Sequence, residues 1–242
     1  MCLIYSACKQ ATFISSRCNL FTKLANKSAS SNSKIFIRNS GSHDSEYYWP
    51  IYKSSVKELV QGADLYNPIN AAFTFDRFGE FGSAVKLSYG FYQFPARHYF
   101  STDFSVTAWI KLNSIGSNAE RLIECGSSTS DSIIMVVSNW NKNSAYFQMP
   151  NIRKSVVGSV NLQINIWSHI AFILKGDIGL IYVNGTLDSQ NLLGYPVVVN
   201  RTRCFLGKSL WSNPNLNADL DDIKIFSRAL DAEEIKQESK RF

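Results

Sequence analysis

Eighteen residues near the C-terminus, Ala218-Asp-Leu-Asp-Asp-Ile-Lys-Ile-Phe-Ser-Arg-Ala-Leu-Asp-Ala-Glu-Glu-Ile235, constrain the fold more than any other part of this chain. Ile223 and Ile225 alternate with Lys224, the period-2 pattern of a half-buried strand. Asp231 precedes Glu234 by the spacing of a capping box, and Leu230 and Ile235 stand where a hydrophobic staple forms. The spacing therefore predicts a strand, a tight bend and a short capped helix, in that order. If Ile223 and Ile225 face the core, strict alternation puts Asp221 on their face at the mouth of the strand. A carboxylate there must be paired, hydrogen-bonded or metal-bound.

The other apolar segments alternate or run short, and Asn/Ser/Gly clusters separate them, which favours an all-β class. Phe104–Ile110 and Trp167–Ile173 read as core strands carrying Trp109 and Trp167, with His169 inside the second as a structural histidine. Asn184-Gly185 marks a two-residue hairpin, because both central positions of a type I′ turn need positive φ. An aromatic share of 13% and a hydrophobic share of 45% suffice for one sizeable core. No run of 18 apolar residues is present to cross a membrane as a helix.

Taken in order, these segments resemble the laminin-G-like, concanavalin A-like lectin/glucanase jelly-roll family. In that family an Asp-Asp-Ile strand leads into Arg-Ala-Leu and a helix carrying Glu-Ile, as at Asp221 to Ile235 here. Phe104–Ile110, Trp167–Ile173, Ile181–Gly185 and Arg201–Ser209 resemble the successive strands. Tyr47–Tyr52 and Phe75–Gly79 are similar to the opening strand and the loop after it. The resemblance covers residues 46–242 and implies a two-sheet antiparallel jelly-roll sandwich closed by a short C-terminal helix. The fold hosts many functions, so it does not by itself select one.

Residues 1–45 form a basic, Ser/Asn-rich leader, expected to lack fixed structure. Six of the 25 Lys+Arg fall within residues 1–43, which contain no acid, and this leaves 19 cations against 19 acids in the remainder. The domain is thus formally neutral and offers no electrostatic footprint for nucleic acid. Cys2, Cys8 and Cys18 lie in the leader. Cys125 and Cys204 end apolar runs at a spacing that fits neither zinc nor Cys-x-x-Cys chemistry, and read as two partly buried free thiols, with a disulfide between them as the alternative that Cβ geometry decides. Glycosylation sequons occur at Asn26, Asn184 and Asn200. Asn200 is the better acceptor, since Asn184 sits in the hairpin turn.

Catalytic constellations are missing from the pattern. Three histidines, no nucleophile elbow and no phosphate loop leave a paired-carboxylate glycanase as the enzymatic alternative. Glu120 and Glu124 could share a strand face, but their context reads as exposed strand charge. Trp140, and Trp211 with Asn213 and Asn215, lie in polar loops where an indole can stack on a sugar while amides bond its hydroxyls. For a metal, Asp221 and Asp222 belong to an oxygen-rich approach that suits calcium. Arg77, Arg228 or backbone N–H groups are the expected partners of Asp221, with calcium as the alternative. The reading is a non-enzymatic extracellular or secreted recognition or adhesion module, binding glycan or protein through loops at one sandwich end. A ligand-free spacer is the third alternative.

Overall fold

The computed structural model describes residues 45–114, 118–139 and 142–240, together with the backbone of residues 11–14 and 17–20. Two compact units result, divided after Asn39. In the first, β1 (Ala11–Ile14) and β2 (Arg17–Leu20) pair as an antiparallel hairpin.

The second unit carries β3 (Tyr47–Trp49), β4 (Tyr66–Phe75), β5 (Phe81–Phe94), β6 (Phe104–Leu112), β7 (Glu120–Gly126) and β8 (Ile133–Ser138). Next come β9 (Tyr146–Met149), β10 (Lys154–Val157), β11 (Ser168–Lys175), β12 (Ile178–Val183) and β13 (Thr186–Leu192). After β14 (Arg203–Leu206) and β15 (Leu216–Phe226) the chain ends in helix α1 (Ala232–Glu238). All strand pairings are antiparallel, in the order β10-β9-β8-β7-β14-β5-β15-β6-β11-β12-β13. Strand β4 pairs along the other edge of β5, and β3 pairs with β15 at residues 223–225, beyond the stretch that pairs with β5.

The expected two separate sheets are one continuous, nearly closed sheet wrapped around a single core. The cause is the 14-residue strand β5. Its middle residues pair with β15 and its last three with β14, so it carries the hydrogen-bond ladder from one half of the sandwich to the other. Trp49, Leu87, Phe104, Ile110, Phe147 and Phe172 fill the space between the halves and are shut off from solvent. The sheet is also cross-linked covalently. Cys125 on β7 and Cys204 on β14 stand in register and form a disulfide. The expectation of free thiols fails because their pairing depends on a strand adjacency between segments 79 residues apart.

Local signals in the sequence appear as elements. Asn184 (φ 50°) and Gly185 (φ 78°) make the turn between β12 and β13. Asp231 caps α1 by accepting from the Glu234 N–H at 2.8 Å, and the Glu234 side chain reaches back to the Asp231 N–H. Leu230 and Ile235 are buried against Ala171, Ile173, Tyr182 and Phe226. Helix α1 therefore covers part of the outer surface of β11, β12 and β15.

Candidate ligand-binding face

The wrapped sheet has two outward surfaces. The first belongs to β15, β6 and β11, beside α1, and its charges are neutralised internally. Arg77, in the β4–β5 turn, bridges both neighbouring carboxylates, with Nη1 2.6 Å from Asp221 and Nη2 2.8 Å from Asp222. Its guanidinium is stacked between the rings of Trp109 (4.6 Å) and Phe78 (4.5 Å). The Tyr48 hydroxyl donates to Asp222 at 2.6 Å. Lys224 pairs with Glu238 of α1, and Lys111 with Asp219, at 2.7 Å each.

Asp221 does not lie on the core face with Ile223 and Ile225. A β-bulge falls between Asp221 and Lys224, with Asp222 in the left-handed region (φ 47°). One extra residue there inverts the alternation. Leu220 and Ile223 both point inward, while Asp221 stands opposite Trp109 on the outside. Trp109 is accordingly no core plug; Val106, Ala108 and Ile110 take that role. His169 stands opposite Trp109, with its ring 5.5 Å from the indole. Burial, reinforced by Lys224 and Arg77, pushes its pKa down to about 3, and Nδ1 has no hydrogen-bond partner among the described residues. Arg77 thus supplies the positive charge that the sequence left open between an arginine and calcium. No group of three or more His, Cys, Asp or Glu among the described residues is arranged to hold a metal ion.

The second outward surface belongs to β9, β8, β7, β14, β5 and β4. Cross-strand register lines up Gln148, Ile134, Glu124, Phe205, Gln93 and Tyr66 in one row across all six strands. Alternation confirms the outward side, since Phe147, Met135, Cys125, Cys204, Leu206, Tyr92 and Phe94 all belong to the core. From β14 to β4 the row is open to solvent. Phe205, Phe91 and Gln93 are half-buried, while Tyr66 and Tyr89 are exposed. Phe91 and Phe205 meet edge to face at 5.8 Å, and the Lys208 ammonium lies 4.4 Å over the first ring and 5.1 Å over the second. Asn67 donates from Nδ2 to the Gln93 side chain at 3.2 Å. Only glycine fits at position 90, because a Cβ there would run into the backbone carbonyls of Ile69 and Asn70.

The β14–β15 loop closes one side of this surface. Trp211 is 41% exposed, its backbone N–H donates to Ser209 Oγ, and the Arg121 guanidinium sits 5.9 Å from its ring. Asn213 Oδ1 accepts from Arg121 Nη2 and Ser209 Oγ at 3.1 Å, and Asn215 donates to the Tyr89 carbonyl at 3.2 Å. Asn213 and Asn215 therefore hold the loop that presents Trp211. Trp140 lies outside the described residues.

Glu120 and Glu124 are buried, not exposed as strand charges. Loop and neighbouring side chains cover β7 on its outer side, a coverage that alternation along β7 cannot disclose. Glu124 Oε2 accepts from Arg121 Nε at 2.9 Å and from Ser209 Oγ at 3.2 Å, while Oε1 has no hydrogen-bond partner among the described residues. Burial raises the Glu124 carboxyl above its ordinary pKa, with Arg121 opposing the shift. Phe91, Phe205, Gln93 and Lys208 escaped the sequence reading, because they become one surface only through long-range register. A second exposed aromatic group, Phe75, Phe78 and Phe81, crowns the β4–β5 turn, where Asp76 fixes the backbone by accepting from two N–H groups.

Residues 88–236 match the concanavalin A-like lectin/glucanases superfamily, in its laminin-G group, and the chain belongs to it. Among curated proteins none matches by sequence. Among solved structures, domain 4 of AbnA, a GH43 extracellular arabinanase from Geobacillus stearothermophilus in complex with arabinotriose, is similar with a TM-score of 0.68. That likeness holds at 15% identity over 81% of this chain and 98% of that domain. The binding domain of Paraclostridial Mosquitocidal Protein 1 reaches a TM-score of 0.63 at 14% identity, over 80% of this chain and 51% of that one. Trypanosoma rangeli sialidase, in complex with a difluoro-KDN ligand, reaches 0.57 at 12% identity, over 80% of this chain and 32% of that one. At these identities the likeness establishes the fold.

Proposed function

We propose that this domain is a non-enzymatic extracellular recognition module that binds glycan on the open surface of β4, β5 and β14, beside the Trp211 loop. One observation carries the reading: Phe91, Phe205, Gln93 and Tyr66 stay partly exposed side by side on the outward face of three paired strands. Aromatic faces stack on sugar C–H groups and amides bond hydroxyls, so this mixture suits a carbohydrate better than a flat apolar partner. A similar fold solved in complex with arabinotriose supports it. The site lies on the sheet surface next to a loop, rather than on the loops of one end alone. A catalytic role for Glu124 is disfavoured, because one of its oxygens is held by Arg121 and Ser209 and its side chain is closed to solvent.

The Cys125–Cys204 disulfide supports an oxidising, secretory environment. There Asn200, exposed and two residues before an exposed Thr202, is the acceptor for an N-glycan. The side chain of Asn184 instead accepts from the His169 N–H at 2.8 Å. A glycan array followed by calorimetry on the best ligand tests the function. Phe205→Ala and Trp211→Ala should each weaken binding while leaving the fold intact. Absence of binding to any glycan, or binding indifferent to Phe205→Ala, would refute the assignment.

A further inference from the structure

The charges on the two outward surfaces narrow the chemistry of the ligand. Outside the basic leader the chain is formally balanced, so an excess of one sign on one surface means segregation. The acids Asp219, Asp221, Asp222 and Glu238 sit on the α1 side, each held in an ion pair. On the open surface, Glu124 is the one carboxylate in the row from β9 to β4, and it is buried against Arg121.

Two cations flank the aromatic pair on that surface. Arg203 shares the outward parity of Phe205, two residues along β14, and is exposed. Lys208 follows the end of β14 and roofs Phe91 and Phe205. Among the described residues neither has a carboxylate partner. At about 3.3 Å per strand residue, Arg203 lies roughly 7 Å from Phe205 along the strand. Cations placed on both sides of a stacking platform form a receptor for negative charge; the nearby Asp131 carboxylate, beside Gly126 across from Arg203, is held by the Ser127 and Ser128 N–H groups. The guanidinium fork of Arg203 matches a carboxylate or sulfate, and the Lys208 ammonium supplies a point charge over the rings.

We infer that the glycan is acidic, a uronate or sulfated sugar whose anionic group is bound at Phe205 between Arg203 and Lys208. This rests on the glycan-binding reading above and gives the substrate class of the same site.

Length-matched oligosaccharides test it on the full chain: one carrying uronates, one sulfated, and one with its carboxyls reduced to neutral alcohols. The acidic sugars should bind about tenfold more tightly than the neutral one, or about 1.4 kcal/mol. That advantage should shrink as salt rises, because exposed charges are screened. Arg203→Met and Lys208→Met should each remove several-fold of the acidic preference, read as the ratio of acidic to neutral affinity. Equal affinity for acidic and neutral sugars, or a preference that survives the double variant, overturns the inference while leaving glycan binding in place. So does equal binding of inorganic polyphosphate, which carries charge without a sugar face. Failure of every sugar to bind refutes the glycan-binding reading itself.

Discussion

The two outward surfaces of this sheet are built from the same strand types and use charge in opposite ways. Around Arg77 each carboxylate meets a cation, aromatic rings close over the guanidinium, and α1 packs alongside. Around Phe205 the cations have no carboxylate partner among the described residues and the aromatic edges are open. Paired, buried charge is expensive to disturb and specifies structure. Unpaired charge at a wet aromatic surface contributes little to stability and is available to a ligand. The contrast separates a structural clamp from a recognition surface within one fold.

Matched substitutions break the contrast most sharply. Arg77→Met leaves Asp221 buried without its counter-charge and should cost about 3–5 kcal/mol in urea unfolding. Arg203→Met on the other surface should fall within about 0.5 kcal/mol of the parent. Comparable losses at both positions would erase the distinction. Ile235→Ala, which uncouples α1 from the paired surface, should cost about 2–5 kcal/mol, since Ile235 is fully buried.

His169 gives that same surface a pH dependence. Its folded pKa of about 3 lies below the ordinary 6.5, so the unfolded chain binds the proton and the folded one resists it. The associated stability is complete above pH 6.5 and falls by about 1.4 kcal/mol per unit as pH drops towards 3. His169→Phe should flatten that slope between pH 6 and pH 4 in thermal melts; an unchanged slope would assign it to other groups. Asp231→Ala should cost about 0.5–2 kcal/mol through the lost cap, read in the same melts.

What the sequence disclosed was local. The capped helix at Asp231 and Glu234 and the Asn184-Gly185 turn depend on neighbours within a few residues, and both appear where the spacing put them. The family followed from the order of such landmarks. Two kinds of error mark the limit. At Asp222 a single left-handed residue inverts the alternation, so parity carried across it misplaced Asp221. At Glu124, Cys125 and Cys204 the environment comes from strands and loops distant in sequence, and no local pattern encodes which surface gets covered or which cysteine stands opposite. The candidate site failed to show for the same reason. Trp211 was visible as a loop indole, but Phe91 and Phe205 are ordinary strand residues until β5 and β14 lie side by side.

The central claim is that ligand recognition belongs to the open surface and not to the paired one. Backbone amide NMR shifts recorded during titration with an acidic oligosaccharide test it most directly. The account predicts perturbations concentrated at Phe91, Gln93, Arg203, Phe205 and Lys208 and along the loop to Asn215, with Asp221, Trp109 and His169 unmoved. Perturbations centred instead on Arg77 and its neighbours, or on Phe75, Phe78 and Phe81 at the β4–β5 turn, would contradict it.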